Sequence, residues 1–245
     1  MYDEKLSYCP KAADDSIVFG RYEYSVCVNI NNEIKTIHNL SELKNLDADI
    51  EAVIFDLDDT LYSEKEYMRS GFHVIADYLK QVDHCFNKLC VAFEKGKMPI
   101  ETLLQEENIY TEELLTECLK LFREHKPDIH LYEEVQELFL ELHRQKKLIG
   151  IITDGKTVKQ NAKIDSLGLR SMVDEIIITD ELAGHGNPKE FRKPNDLAYL
   201  IMRKRLGIAC RNMLFVGNER DRDFIAPEKV GMKCCWFENG DGLYE

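Results

Sequence analysis

Residues 55–61 read Phe-Asp-Leu-Asp-Asp-Thr-Leu, which sets Asp56, Asp58 and Asp59 within four positions, directly after the apolar run Val53-Ile54-Phe55. Carboxylates this close raise one another's proton affinity, and a cation bound among them relieves the repulsion. In extended chain Asp56 and Asp58 share a face, and a turn after the run re-aims Asp58. A solvated acidic turn has the same composition as a catalytic carboxylate pair, so the motif alone leaves both open. Three further places carry reactive groups at the ends of apolar runs. Thr153-Asp154-Gly155 closes Leu148–Thr153, where a hydroxyl and backbone N–H groups can cap a helix or hold an anion. Lys193-Pro194 precedes a helical pattern, with proline suited to a first turn. Gly217-Asn218 closes Met213–Gly217 and is followed by Asp221 and Asp223.

The elements that must position these groups are legible in the pattern. Val53–Phe55, Leu148–Thr153, Glu175–Thr179, Met213–Gly217 and Lys233–Phe237 are short apolar runs without alternation, as expected of strands buried on both faces. Helical patterns separate them, over Leu131–Gln145, Lys156–Leu167, Pro194–Leu206 and Asp221–Val230, with Gly168 and Gly207 placed as C-cap residues. This alternation predicts an α/β fold with a doubly wound parallel sheet. The predicted core is 51–62 with 127–245, and 63–126 is an inserted helical segment. That insertion carries helices at Glu64–Lys80, His84–Glu94, Ile100–Glu107 and Glu112–Glu124, the first opened by a Ser63/Glu66 capping box. It is too long for a crossover and stands above the strands' carboxyl ends, where ligands bind in open α/β sheets. Residues 1–50 read as a separate extension: a β-hairpin from Tyr22–Ile30 and Glu33–His38, then a short helix capped by Ser41. It is a candidate edge extension, dimer contact or docking surface for another protein.

The 245 residues carry a net charge of −13. An acidic surface without basic, aromatic-rich blocks excludes nucleic acid as a partner. No stretch approaches the length of a membrane span, and no apolar leader opens the chain, which predicts a cytoplasmic protein. The eight cysteines form no Cys-x-x-Cys pair and no Cys/His cluster, the pattern of reduced, packed thiols.

Taken in order, these four motifs resemble those of the haloacid dehalogenase-like superfamily: D-x-D-x-T at Asp56, Asp58 and Thr60, a strand-terminal Thr153, a pre-helical Lys193, and a Gly-Asp-type segment at Gly217 with Asp223 downstream. Asn218 departs from the Asp usual in that segment. The resemblance implies a Rossmann-like core with a helical cap. It implies that Asp56 is the nucleophile that accepts a phosphoryl group and that Asp58 is the general acid and base. Lys193 would neutralise the phosphoryl oxygens, and Thr153, Asp154 and Gly155 would bind them. Mg²⁺ would be held by Asp56, with the Leu57 carbonyl, Asp58, Asn218 and Asp223 as further ligands; an amide at Asn218 still ligates but brings no charge. Arg69, on the first cap helix, is a candidate contact to the substrate, its alternative being a solvated helix charge. The implied activity is Mg²⁺-dependent hydrolysis of a small phosphorylated metabolite, of the sugar phosphate or nucleotide class, through an aspartyl-phosphate on Asp56. A phosphomutase, or a weakly active binding or regulatory module, would use the same fold.

Overall fold

A computed structural model of the chain describes residues 34–240 and 242–243. Six parallel strands form one sheet in the order β1-β6-β5-β2-β3-β4. They are β1 (Lys35–Ile37), β2 (Ala52–Phe55), β3 (Leu148–Thr153), β4 (Glu175–Ile178), β5 (Met213–Gly217) and β6 (Lys233–Phe237). β2 and β5, side by side at the centre, are buried at every residue. That burial explains their uniformly apolar sequence, because helices cover both faces. One face packs Val53, Phe55, Ile149 and Ile151 against α5 (Glu133–Arg144) and α6 (Thr157–Ser166). The other packs Ile54, Ile152 and Phe215 against α7 (Leu197–Leu206). No helix among the described residues is long and apolar enough to cross a membrane.

Between β2 and β3 lie α1 (Glu64–Tyr78), α2 (Cys85–Glu94), α3 (Pro99–Glu106) and α4 (Glu112–Glu124). They enclose a core of their own around Phe72, Ile75, Leu89, Leu103, Leu104 and Cys118. The chain enters and leaves this segment through two adjacent threads, where the Tyr132 N–H donates to the Leu61 carbonyl at 3.0 Å and Tyr62 bridges Leu131.

Several local expectations shift for identifiable reasons. The Ser63/Glu66 box does not form: the Ser63 side chain makes no capping hydrogen bond, and Asp59 Oδ1 caps the Glu64 N–H at 2.7 Å instead. Glu66 holds His130, through its backbone N–H at 2.8 Å and its ring Nδ1 at 2.7 Å. The short helix at Leu40–Lys44 is capped by Asn39, not Ser41, which turns Leu40 and Leu43 into the core. Of the expected hairpin, the arm Tyr22–Ile30 lies outside the described residues, and β1 pairs in parallel with β6, Thr36 opposite Trp236. α7 starts at Leu197 because Asn195 Oδ1 accepts its N–H at 2.8 Å, so Pro194 lies outside the helix. The helix foreseen over Asp221–Val230 breaks at Phe224 into α8 (Arg220–Asp223) and α9 (Ile225–Lys229). Pro227 has no N–H for the Asp223 carbonyl, which takes the Tyr199 hydroxyl at 3.4 Å.

Phe139 of α5 is 1% exposed and stacks at 5.3 Å, tilted, on Phe55 of the central strand. Phe139→Ala should cost about 3–5 kcal/mol of stability, read from urea denaturation midpoints at unchanged m-value; a loss under 1 kcal/mol would show that this contact is dispensable.

Candidate active site

The carboxyl ends of β2, β3 and β5 converge, as adjacent parallel strands must, and bring the reactive groups together. Asp56 follows β2, and its N–H donates to Val216 of β5 at 2.8 Å, continuing the ladder one step past the strand. Its side chain is 3% exposed, and Oδ1 accepts from the Lys193 ammonium. The same ammonium reaches Asp223 Oδ1 at 2.9 Å, and its side chain has no exposed surface. Asp223 is held from behind, its Oδ2 accepting the Glu219 N–H at 3.0 Å. Gly217 permits this approach: a Cβ there would stand 2.4 Å from Asp223 Oδ2. Asp154 fixes the lysine's backbone, accepting the Lys193 N–H at 3.2 Å and the Thr179 hydroxyl at 2.8 Å. Its carboxylate is thus a strut for Lys193.

The electrostatics follow from burial. Desolvation pushes the Asp56 carboxyl up to about 8, against the pull of Lys193 and with the push of Asp223 and Asp58. Burial also works against the Lys193 ammonium, but Asp223 and Asp56 outweigh it and hold its pKa above the usual lysine value. Asp56 Oδ2 is buried and has no hydrogen-bond partner. Asn218, one residue past β5, is buried at the same end of the sheet, with its Oδ1 accepting from the Thr60 hydroxyl at 3.1 Å. An unsatisfied carboxylate oxygen with an amide oxygen is a donor set that suits Mg²⁺, which keeps several waters and needs only one or two carboxylates. Among the described residues no group of three His, Cys, Asp or Glu side chains forms a complete cage.

Asp58 faces a different environment. Its Oδ1 accepts from the Lys163 ammonium and the Tyr62 hydroxyl, and its Oδ2 from Gln160 Nε2 at 2.9 Å. Burial pushes the Asp58 carboxyl up, but Lys163 and Lys159, with the Lys163 and Tyr62 hydrogen bonds, bring it down to about 2. Gln160 also donates to Thr153 Oγ1 at 2.6 Å, so the Thr153 hydroxyl oxygen is tied into the same network. Gly155, at φ 139°, lets Gln160 close in: a Cβ there would meet its amide at 3.1 Å.

The geometry therefore gathers Asp56, Asp58, Thr153, Asp154, Lys193, Asn218 and Asp223, with Gly155 beside them. It does not gather Arg69, which is exposed and lies 5.5 Å over the Phe86 ring within the helical segment. The Leu57 carbonyl, expected as a metal ligand, accepts the N–H groups of Thr60 and Leu61 at 3.3 and 3.0 Å and is spent in the turn. Both Asp58 oxygens are engaged as well, by Tyr62 and by Gln160 and Lys163 of α6, so this carboxylate is turned toward α6, whereas Asp223 shares the Lys193 ammonium with Asp56. Four participants escaped the sequence reading: Tyr62, Gln160, Lys163 and Arg222. Gln160 and Lys163 are spaced i, i+3 on α6, one face of a helix that starts at the Thr153 loop, and that spacing was the available signal. Lys163 is wholly buried over the Tyr67 ring at 4.4 Å.

A family model described as haloacid dehalogenase-like hydrolase matches residues 53–237. A glyceraldehyde 3-phosphate phosphatase of Methanocaldococcus jannaschii is 27% identical over 75% of this chain and 82% of its own length. A ribulose-1,5-bisphosphate 5-phosphatase of Halopiger xanaduensis is 23% identical over 76% of this chain and 84% of its own. Among solved structures, a HAD-hydrolase of Bacillus subtilis bound to magnesium shares the fold at TM-score 0.56 and 19% identity, over 76% of this chain and 86% of that one.

Replacing Lys163 with Met leaves Asp58 buried without its counter-ion and should cost about 3–5 kcal/mol at neutral pH. With a folded value near 2 against an ordinary 3.8, Asp58 contributes stability above 3.8 that is lost as pH falls through 2. The variant lacks that contribution, so its deficit against the parent should narrow toward pH 2 in urea melts. A deficit independent of pH would assign the cost to packing alone.

Proposed function

Because the chain belongs to the haloacid dehalogenase-like hydrolases, and is of the phosphatase type among them, we propose that it hydrolyses a small phosphate monoester, of the sugar phosphate or nucleotide class, through an aspartyl-phosphate on Asp56 and with Mg²⁺. The observation that carries this reading is the state of Asp56: one oxygen held by a fully buried lysine, the other buried and unpartnered at the strand end. Such an oxygen is oriented for attack, and its only missing contact is to an electrophile or a cation. The archaeal relatives named for triose and pentose phosphates support the substrate class.

In the first half-reaction Asp56 Oδ2 attacks phosphorus, the P–O ester bond breaks, and the leaving oxygen takes a proton. In the second, water attacks the acyl phosphate's phosphorus, its proton passes to a base, and Asp56 is released with inorganic phosphate. Asp58 is the group we assign to both transfers. Held by Lys163, Tyr62 and Gln160 it is ionised at rest, and it takes the water's proton only once bound phosphate has raised its proton affinity. An arriving phosphate dianion raises its proton affinity, as any like charge does, and turns it toward donation. Lys193 holds the carboxylate and neutralises a phosphoryl oxygen without moving, since Asp154 pins its backbone. Bound Mg²⁺ would supply charge that favours ionised Asp56 and a polarised phosphoryl group; Asp56, Asn218 and Asp223 are the residues that would hold it.

Inorganic phosphate release from a panel of sugar phosphates and nucleotides tests this. The parent chain should turn over at least one ester with Mg²⁺ and lose that activity in chelator, and Asp56→Asn should retain less than about one part in a thousand, the scale of losing a covalent nucleophile. Turnover that survives in Asp56→Asn would remove the aspartyl-phosphate from the mechanism.

A further inference from the structure

Among the described residues three buried side-chain polar atoms have no hydrogen-bond partner: Asp56 Oδ2, Asn218 Nδ2 and Arg222 Nε. Buried polar atoms in folded proteins are nearly always paired, so each exception asks for an explanation. All three belong to one place, the carboxyl ends of the paired strands β2 and β5 and the helix that follows β5. One is an acceptor and two are donors. A cation could satisfy the acceptor alone, since it cannot accept from an N–H.

Each donor is fixed in direction. The Thr60 hydroxyl donates to Asn218 Oδ1 at 3.1 Å, which leaves Nδ2 as the free end of the amide, and Trp236 Nε1 holds the Asn218 main-chain oxygen at 3.0 Å. Arg222 is clamped by Glu219, whose Oε1 lies 2.7 Å from Nη2, and its Nε lies 4.0 Å from Asp154 Oδ2, beyond hydrogen-bond reach. Against burial, Asp56, Glu219, Asp223 and Asp154 all act on the Arg222 guanidinium and hold its pKa above the usual arginine value. An aspartate at position 218 could only accept. Asparagine there removes one negative charge and adds a donor, and Arg222 adds a cation four residues on.

We propose that Asn218 Nδ2 and Arg222 Nε are phosphoryl-oxygen donors, so that this chain binds the phosphate group of its substrate with its own residues before and without a metal. A phosphate dianion has the acceptors that both N–H groups lack, at the strand ends where Asp56 Oδ2 is also unpartnered. Asn218 becomes a two-ended group, with the amide oxygen toward the cation site and the amide nitrogen toward phosphate. The inference rests on the hydrolytic reading only for where phosphate sits, not for turnover.

Calorimetric titration of inorganic phosphate into the full chain in chelator tests it. The parent should bind; Arg222→Gln and Asn218→Asp should each weaken binding about tenfold or more, the scale of a charge-assisted hydrogen bond. Arg222→Lys, which keeps the charge and the stem, should recover part of the loss and serves where Arg222→Gln fails to fold, as judged by thermal melting. Asn218→Asp should bind Mg²⁺, titrated alone, at least as tightly as the parent. No phosphate binding by the parent in chelator, or parent-like binding in folded Arg222→Gln and Asn218→Asp, would overturn the proposal. Binding that follows both residues in a chain that hydrolyses no ester would sink the hydrolytic reading and leave these donors assigned.

Discussion

Everything at this site is arranged around one buried ammonium. Lys193 has no exposed side-chain surface and stands between Asp56 and Asp223. A lone buried cation is prohibitively unfavourable, and so is a lone buried carboxylate; the three together are tolerable because each satisfies the others. That demand dictates the surroundings. Asp154 and Thr179 brace the lysine's loop, Gly217 stays without a side chain so that Asp223 can close in, and the Asp56 backbone is locked to β5. The central strands must be apolar on both faces for the ammonium and its partners to be dry, and dryness is what makes their charges effective.

The second carboxylate shows how position two residues along reverses an environment. Asp56 lies on the sheet side of the turn, where burial dominates and its proton is held up to about 8. Asp58 lies on the side facing α6, where two lysines, an amide and a phenol bring it down to about 2. Two titratable groups whose surroundings push them in opposite directions can take different parts in one reaction. The helical segment takes part in that division, because Lys163 also contacts Tyr67 of α1 and lies 3.9 Å from Glu64.

Much of this was legible in the amino-acid order, and the limit has a physical cause. Asp56, Thr153 and Gly217 end apolar runs, so strand burial and functional placement are written in the same few residues. The parallel sheet and its helical insertion follow from pattern alone. Arg222 was not legible because an arginine on a helix reads as a solvated charge, and Lys163 left only its i, i+3 spacing from Gln160 as a signal. Arg69 is the converse: it sits on the first helix after the motif, yet its guanidinium rests over Phe86 and away from Asp56. The break after Asp223 follows from Pro227, whose missing N–H was there to read, whereas the Tyr199 hydroxyl that takes the freed carbonyl comes from another helix and was not.

Asp59 ties the two halves of the molecule together. At φ 54° it adopts a left-handed conformation that few residues accept, and aspartate is among the more tolerant. The turn it makes delivers its carboxylate to two backbone donors, the Glu64 N–H that opens α1 and the Leu243 N–H near the chain's end, each at 2.7 Å. Its carbonyl takes Asn239 Nδ2 at the same distance. The residue after Asp58 thus joins the strand end, the first helix of the inserted segment and the segment following β6. Asp59 directly follows Asp58, so the hydrogen bonds that anchor α1 and the segment after β6 also fix the backbone beside that carboxylate. The seating of the helical segment and the backbone next to the Asp58 carboxylate therefore share one turn, with Asp56 on its far side held by Lys193.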